Sequence, residues 1–284
     1  MHIPRSFLLA AFVLPLISAS AQQSATKPLP DIHQLMNDVR EHQKQLDEVR
    51  ENYTYSAAIT VQQIDSKGQV SKTESEEFEV FFVKGHQIAR KVKKDGKPLS
   101  DEEQKKETES VTKEVEKDEK SDSKERHEIS LQQILELRQI LEVMDARNPR
   151  REIYRGRPTI VFDFVGRKDA KAHGIVEDIS KKLQGTAWID ETDLKVAHLD
   201  VTFNDDFRIA GGIVASIKNG SNFHFDQAPV NGEIWFLTGG EGTVALRLFL
   251  VKEIHQHITE RDYDYKKFRV ESEQGKDAKA VVEK

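Results

Sequence analysis

The first part of the chain changes its hydrophobic spacing from a helical period to a period of two. Asp31 can cap a helix, and Gln34 stands three residues later, as a capping box requires. Six apolar residues follow at helical spacing: Ile32, Leu35, Met36, Val39, Leu46 and Val49. From Asn52 onward apolar and polar residues alternate, which predicts strands instead.

Three strands are predicted before residue 99. The first two flank a hairpin turn at Asp65–Gly68, and the third covers residues 87–93 and ends at the turn Asp95–Pro98. On the second strand, alternate apolar side chains share one face: Phe78, Val80 and Phe82. A sheet with one apolar face needs a cover, and the leading helix can supply part of it.

The segment 100–128 differs from its surroundings because nearly all of its residues are charged. Three Glu–Lys pairs have i,i+4 spacing with the glutamate first, the favourable order on a helix: Glu102/Lys106, Glu109/Lys113 and Glu116/Lys120. Each pair stabilises a helix by only about 0.2–0.5 kcal/mol. The pattern predicts a solvated, partly frayed or disordered helical insertion that projects from the body, with an electrostatic docking arm as the functional alternative.

A second apolar helix is expected after this insertion. Ser130 and Gln133 form another capping box. The apolar residues behind them are too many for a narrow stripe, so the helix should pack on more than one side: Leu131, Ile134, Leu135, Leu137, Ile140, Leu141 and Met144. It should end before Asn148-Pro149, because a proline disfavours helical backbone in the preceding residue.

From Arg151 the chain predicts a series of strands with tight turns, interrupted by a helical turn within residues 172–184. In the strand Lys195–Phe203, strict alternation separates Ala197, Leu199, Val201 and Phe203 from Val196, His198, Asp200 and Thr202. The glycine-rich stretch Leu237–Gly242 predicts a hairpin turn. In the strand after it, Val244, Leu246, Leu248 and Leu250 line one face.

This series of elements predicts an α+β fold. Regularly spaced strands with tight turns are typical of an antiparallel meander, and the two apolar helices can lie across its curved surface. We therefore expect a half-open antiparallel β-barrel, with helices covering the concave face and a charged, solvated helical insertion. One domain, residues 22–272, would hold the barrel, and residues 273–284 would form a disordered polar tail.

The N-terminus has the pattern of a secretory signal, residues 1–21. Arg5 precedes the apolar run Phe7–Ile17, which closes on an Ala-x-Ala exit at Ala19–Ala21. The run is too short to span a bilayer, which needs about 20 residues. We expect cleavage after Ala21 and export, and the lack of cysteine favours the periplasm over a disulfide-rich extracellular space.

The net charge and the residues that could bind a metal or act in catalysis limit the classes of function to be considered. The formal net charge of −6 argues against a nucleic-acid binder, whose binding surface would be basic. His255 and His257 share one side of a strand but lack the closed ligand set of structural zinc. A further group could be imagined as acid–base partners, although solvated strand surface is the ordinary explanation: His198, His224, Asp200, Asp205, Asp206 and Asp226. No serine lies in a G-x-S-x-G elbow. We expect no enzyme, no cofactor and no metal.

The stretch Gly185–Phe203, GTAWIDETDLKVAHLDVTF, resembles the G-x-x-W-I-D-x-x-x-x-L hairpin of the LolA-like periplasmic lipoprotein carriers, the outer-membrane lipoprotein-sorting family. The order of signal, leading helix, paired strands, lid helix and meander agrees with that family, as does GEIWFL at residues 232–237. Two features depart from it. Trp235-Phe236-Leu237 stands where members often have Trp-x-Pro, and the charged insertion is longer than a plain carrier needs.

The resemblance implies a lipid- or lipoprotein-binding carrier, monomeric, whose apolar half-barrel shields acyl chains and which meets membrane-associated donor and acceptor proteins. The alternative is an envelope regulatory or scaffold module that binds a protein partner through the same fold and its charged arm. The candidate lipid-binding residues on the concave face are Phe78, Val80, Phe82, Leu135, Phe162, Phe164, Trp188, Leu199, Val201, Phe203, Phe223, Phe225, Trp235, Leu246 and Leu248.

Overall fold

The structure is a computed structural model that describes residues 28–44, 47–84, 86–120, 143–171, 174–209, 214–271 and 279–282. The predicted signal peptide with its cleavage position, Leu135 with the second apolar helix up to residue 142, and residues 121–128 of the insertion lie outside the described residues.

The described residues form four helices and fourteen strands. The helices are α1 (Ile32–Lys44), α2 (Asp47–Arg50), α3 (Asp101–Lys120) and α4 (Ile175–Ser180). The strands are β1 (Tyr53–Ile64), β2 (Val70–Val83), β3 (His86–Lys94), β4 (Lys97–Pro98), β5 (Met144–Tyr154), β6 (Arg157–Gly166), β7 (Leu183–Asp190), β8 (Lys195–Phe203), β9 (Phe207–Ile209), β10 (Ala215–Ile217), β11 (Asn222–Val230), β12 (Ile234–Leu248), β13 (Lys252–Glu271) and β14 (Lys279–Val282). Of the helices described, none combines the length and apolar character that crossing a bilayer by a helix requires.

The strands form one open, antiparallel sheet. Its main path runs β4-β3-β2-β1-β13-β12-β11-β8-β7-β6-β5, while β10 pairs with β12 and β9, and β14 pairs with β13. The chain follows this path as a meander, except that β1 lies beside β13 and so joins the two ends of the sequence in the middle of the sheet. The predicted open antiparallel sheet with a few helices is confirmed.

Two local predictions are confirmed by hydrogen bonds. At the start of α1, the backbone N–H of Gln34 donates to Asp31 Oδ1 over 2.9 Å, which is an N-cap. At the first hairpin, Asp65 Oδ1 accepts hydrogen bonds from the backbone N–H groups of Lys67 and Gln69, each 2.8 Å long. In both places the signal is complete within four residues, so no distant contact was needed to read it.

One face of the sheet is apolar from β1 to β5. Residues paired directly across antiparallel strands point to the same face. One such row crosses eight strands: Val61, Ile258, Gly242, Phe223, Val201, Gly185, Phe164 and Ala146. The neighbouring row on the other face is polar throughout: Thr60, Thr259, Glu241, His224, Asp200, Thr186, Asp163 and Arg147. The sheet therefore has an apolar face and a polar face.

Two glycines in the apolar row allow phenylalanine rings to lie on the backbone. A Cβ at Gly242 would stand 2.6 Å from Cδ1 of Phe223. A Cβ at Gly185 would stand 2.7 Å from Cζ of Phe164 and 1.8 Å from the backbone oxygen of Asp200. Close approach of another group to the backbone is a common reason for glycine inside a strand. The first glycine of the GTAWID hairpin thus has a packing role.

The predicted hairpin turn at Leu237–Gly242 is wrong. This stretch lies inside β12, which pairs with β11 from Ile234 to Thr243 and with β13 from Gly239 onward. Its glycines provide room for rings on β11 rather than a change of direction. The reversal comes later, at residues 249–251, so Leu250 belongs to a turn and not to the strand face on which it was predicted.

A proline marks a strand bulge where the sequence predicted the end of a helix. Met144 begins β5, and Asn148-Pro149 lies within this strand, at a register shift between Arg147 and Arg150. Proline cannot donate a ladder hydrogen bond, so it is tolerated at bulges and on edge strands, and β5 is both. The prediction that the second helix includes Met144 is therefore wrong at its C-terminal end.

A second bulge changes the face of Val196. Trp188 pairs with His198 and Ile189 pairs with Val196, so Ala197 is the extra residue on β8. Val196 is consequently buried in the apolar core, although strict alternation assigned it to the polar face. The alternation from His198 to Phe203 is as predicted.

The two charged or polar segments at the sheet margins are more ordered than predicted. Helix α3 packs against β3 and β2 rather than projecting from the body, and Glu107 Oε1 accepts a 2.7 Å hydrogen bond from the backbone N–H of Lys91. Lys279–Val282, predicted as part of a disordered tail, form β14 beside Phe268–Glu271. In both cases the partner is a preceding strand of the same sheet, a contact that local polarity does not reveal.

Candidate ligand-binding face

The structure places most of the predicted lipid-binding residues on the apolar face. Helix α1 buries Ile32, Leu35, Met36 and Val39 against this face over β5 to β8 and β11. Strand pairing and alternation assign the following predicted residues to it: Phe78, Val80, Phe82, Phe162, Phe164, Leu199, Val201, Phe203, Phe223, Phe225, Leu246 and Leu248.

The two tryptophans lie elsewhere. Trp188 is paired with His198 on the polar face, where its indole N–H donates to Glu152 over 3.2 Å, so its assignment to the concave face is wrong. The residues of β7 in the apolar phase are Leu183, Gly185, Ala187 and Ile189. Trp235 is buried against the β7–β8 turn, with its indole N–H 3.0 Å from Asp193 Oδ2 and the Arg157 guanidinium over its ring.

The apolar face has a covered part and a less covered part. Beneath α1 the side chains are almost fully buried, as Leu199 and Val201 show with 4% and 5% exposure. Over β1, β2, β12 and β13, Ala57, Val80 and Val244 are buried, but eight apolar side chains are only half-buried: Ile59, Val61, Phe78, Phe82, Leu246, Leu248, Ile254 and Ile258. We name this second part the open apolar face.

Acidic side chains interrupt the open apolar face on two strands, and on β2 they are Glu74 and Glu76, paired with Val61 and Ile59. Glu260 and Asp262 follow Ile258 in the same phase of β13 and are paired with Ile59 and Ala57. Asp262 is 5% exposed, and its Oδ1 accepts no hydrogen bond from any described residue. Burial, together with the nearby charge of Glu260, raises the pKa of Asp262 to about 8, and burial also raises the pKa of Glu260. Asp262 is thus mostly a neutral acid at pH 7.

Three aromatic rings close the sheet beside these acids. The β12–β13 ladder ends at the pair Gly239–Arg261, and Phe236 then packs on Tyr55 and Tyr265 with centroids 5.7 and 5.1 Å apart. The rings of Tyr55 and Tyr265 are themselves stacked at 5.2 Å. Burial, and then the negative charge of Asp262, raise the pKa of both tyrosine hydroxyls. The acids therefore lie in a setting of low polarity.

The polar face carries a hydrogen-bonded cluster around Asp226. Its carboxylate accepts from the Tyr154 hydroxyl at 2.5 Å and from Arg155 Nη2 at 2.8 Å, and it lies 2.8 Å from His198 Nδ1. Burial by itself would raise the pKa of Asp226, but the hydrogen bonds from Tyr154 and His198 outweigh it and lower the pKa. The His198 ring stacks on Tyr154 at 5.0 Å and meets Trp188 edge-on at 4.8 Å.

This cluster contains some of the predicted acid–base candidates. His198 bridges Asp226 and Asp200, and His224 is the next histidine, 6.2 Å away between ring centroids. Asp205 and Asp206 are separate, because each forms an ion pair with a lysine, Lys182 and Lys218 respectively. His257 lies 3.2 Å from Glu241, but within the described ranges no three histidine, aspartate or glutamate side chains are grouped as a metal site.

Replacing Asp226 with alanine should destabilise the protein by about 3 kcal/mol, because three donors lose a charged acceptor in a partly buried site. Since its pKa is lowered in the folded state, the stabilisation is present above pH 4 and is lost as the pH falls through the folded-state pKa. Urea unfolding of the variant and the unaltered protein between pH 3 and 7 measures the difference in their free energies of unfolding. Asp145→Ala, at a more exposed ion pair, is the control. Equal effects of the two substitutions would contradict the expected role.

Comparisons with known proteins find similarity to solved structures at low sequence identity and low TM-score. No protein-family model matches the chain, and no curated protein matches it. Among solved structures, one provisionally assigned outer membrane lipoprotein-sorting protein domain from Vibrio parahaemolyticus is similar at 9% identity and a TM-score of 0.35, covering 84% of this chain and 95% of that one. A DUF1329 family protein from Desulfovibrio piger is similar at 12% identity and a TM-score of 0.32, covering 81% and 92%.

A third similar structure is the MucA/MucB complex of Pseudomonas aeruginosa, at 8% identity and a TM-score of 0.23, covering 80% of this chain and 94% of that one. TM-scores this low do not indicate which ligand this chain binds.

The sequence reasoning missed Glu260 and Asp262 as site residues. The alternation of β13 does indicate them. Every second residue from Ile254 through Ile258 lies on the apolar face, and Glu260 and Asp262 continue this series. Tyr55 and Tyr265 were missed because their contact bridges the two ends of the chain.

Proposed function

We propose that the protein binds the alkyl chains of a lipid or of an acylated protein on the open apolar face and carries them through the periplasm. The observation that supports this most is the half-buried state of the apolar side chains on β1, β12 and β13, on a face whose other part is covered by α1. Each buried methylene contributes about 0.8 kcal/mol, so burying about six methylenes supplies about 5 kcal/mol.

The physiological role proposed here is the sorting of outer-membrane lipoproteins, without catalysis. The predicted signal peptide would bring the chain to the periplasm, where an acylated protein needs shielding from water. Binding of this kind requires apolar area and no directional chemistry. Donor and acceptor proteins at the two membranes would then load and unload the carrier.

A fluorescent fatty-acid probe tests this function. Ile258 and Thr259 are neighbours on β13 and point to opposite faces. Ile258→Asn should weaken probe binding about fivefold or more, because it replaces apolar contact area with an amide. Thr259→Asn changes the polar face and should leave the affinity unchanged. Titration by fluorescence gives both affinities.

Failure of the unaltered protein to bind the probe, or equal weakening by both variants, would contradict the proposal. Native mass spectrometry of the protein purified from periplasm adds a second measurement, in which a bound lipid or acylated peptide is expected. Dissociation of that ligand should be easier from the Ile258→Asn variant than from the Thr259→Asn variant.

A further inference from the structure

The turn between β12 and β13 places bulky apolar residues at positions with positive φ angles. The backbone N–H of Val251 donates to the Leu248 carbonyl over 3.1 Å, and the two central residues, Phe249 and Leu250, have φ values of 48° and 65°. Positive φ at both central positions defines a type I′ turn, for which Asn-Gly is strongly preferred. Bulky residues with positive φ are unusual and strained.

The same turn exposes an apolar surface. Phe249, Leu250 and Val251 are 69%, 55% and 85% exposed. The backbone N–H of Phe249 donates to the Val214 carbonyl, and Val214 and Ile209 are also exposed. Five of the nine large apolar side chains exposed in the described part of the chain therefore lie at this one place: Ile209, Val214, Phe249, Leu250 and Val251. We name these five residues the apolar tip.

Basic side chains flank the apolar tip. Arg208 and Lys252 are exposed, on β9 and β13 respectively. Arg208 is paired with Ser216, which is paired with Arg247, so a second arginine lies two strands away in the same row. Glu253, paired with Arg247, is the nearest acid on β13. The local charge is positive in a chain whose formal net charge is −6.

We propose that the apolar tip inserts into the interface of a lipid bilayer that contains anionic lipids, with Arg208 and Lys252 at the level of the headgroups. A contiguous apolar patch on a soluble surface marks a protein or membrane contact. A narrow hairpin tip offers a protein partner little area, whereas it can enter the headgroup region easily. Cations beside an apolar insertion are attracted to anionic lipid.

The position of the tip connects it with the open apolar face. Leu246 and Leu248 lie on that face and lead along β12 directly to Leu250 in the turn. A docked tip would place the end of the open apolar face at the membrane surface, where an acyl chain enters or leaves. The docking itself does not depend on whether the open apolar face carries acyl chains.

Vesicle sedimentation tests the proposal. The full exported chain is mixed with vesicles of phosphatidylethanolamine and phosphatidylglycerol, or of phosphatidylcholine alone. We expect binding to the anionic vesicles, at least tenfold weaker binding to phosphatidylcholine, and weakening by salt. The double variant F249N/L250G should lose at least tenfold in vesicle binding while its melting temperature rises, because Asn-Gly suits the turn.

The matched control is Ile153→Asn, which removes an apolar side chain that is 72% exposed on β5 and should leave vesicle binding unchanged. Retained vesicle binding by the F249N/L250G variant would overturn the proposal. So would a lack of vesicle binding by the unaltered protein, which would favour a protein as the occupant of the tip. Both variants should keep full affinity for the fatty-acid probe, so this result separates membrane docking from acyl-chain binding.

Discussion

Asp262→Asn is expected to stabilise the protein by about 3 kcal/mol between pH 7 and 9 and to have little effect near pH 4. In the folded protein the pKa of Asp262 is raised from 3.8 to about 8. Between pH 3.8 and about 8, the Asp262 carboxyl ionises freely in the unfolded chain. In the folded protein the same carboxyl must either stay protonated or carry a buried charge. Each unit of pKa shift corresponds to about 1.4 kcal/mol, so the full penalty is about 6 kcal/mol.

The sign of the pH dependence follows from the direction of the shift. A raised carboxyl pKa makes folding less favourable as the pH rises above 3.8, and the loss levels off above pH 8. Asparagine cannot ionise, so Asp262→Asn removes this dependence of the unfolding free energy on pH. Its amide adds two hydrogen-bond donors that need partners, which reduces the stabilisation. Urea unfolding at pH 4, 6, 8 and 9 measures the difference between the two proteins.

Asp264→Asn is the control for this prediction, because Asp264 lies two residues away on β13, is exposed and pairs with Lys266. It should not change the pH dependence of unfolding. A parallel pH profile for Asp262→Asn and the unaltered protein would show that Asp262 is not held protonated by the fold.

Asp262 lies in the same phase of β13 as Ile258 on the open apolar face, on which we propose that ligand binds. Buried acids with strongly raised pKa values are concentrated at functional sites. At pH 7 the protonated carboxyl offers the apolar face a hydrogen-bond donor without a net charge. The residue that lowers the free energy of unfolding therefore lies on the same face on which we propose that ligand binds.

Gly185→Ala should destabilise the protein by about 3 kcal/mol or more, the upper end of the cost of overpacking. The added Cβ would lie 1.8 Å from the backbone oxygen of Asp200 and 2.7 Å from the ring of Phe164. A ring can turn aside, but the backbone oxygen belongs to β8, which is fixed by its ladder with β7. Denaturation midpoints in urea, with the yield of folded protein, measure the loss.

Gly174→Ala is the matched substitution, because the nearest atom to its added Cβ is a flexible carboxylate oxygen of Glu177, 3.6 Å away. Gly174 is the N-cap of α4, where alanine is less favourable than glycine, so this variant should lose about 1 kcal/mol at most. If the midpoints of the two alanine variants were the same, the close approach of β8 to Gly185 would not be a constraint on the fold.

Part of the candidate site could be read from residue types and spacing. Phe78, Val80 and Phe82 lie on the apolar face as the alternation in β2 predicts, and so do Leu199, Val201 and Phe203 on β8. Trp188 was assigned by its aromatic character rather than by its phase on β7, and it lies on the polar face. Glu260 and Asp262 were overlooked for the opposite reason, since their polarity hid their apolar phase.

By itself the sequence determined the open antiparallel sheet, the start of α1, the first hairpin and the existence of one apolar face. These features depend on alternation and on capping or turn residues, whose interactions are complete within a few positions of the chain. Tertiary structure alone decided that Gly240 and Gly242 lie under rings from β11, that Ala197 bulges, that burial raises the pKa of Asp262 and that Phe249 and Leu250 form an exposed turn. Each of these depends on which distant strand becomes the neighbour, because packing space and solvent access are properties of the assembled sheet.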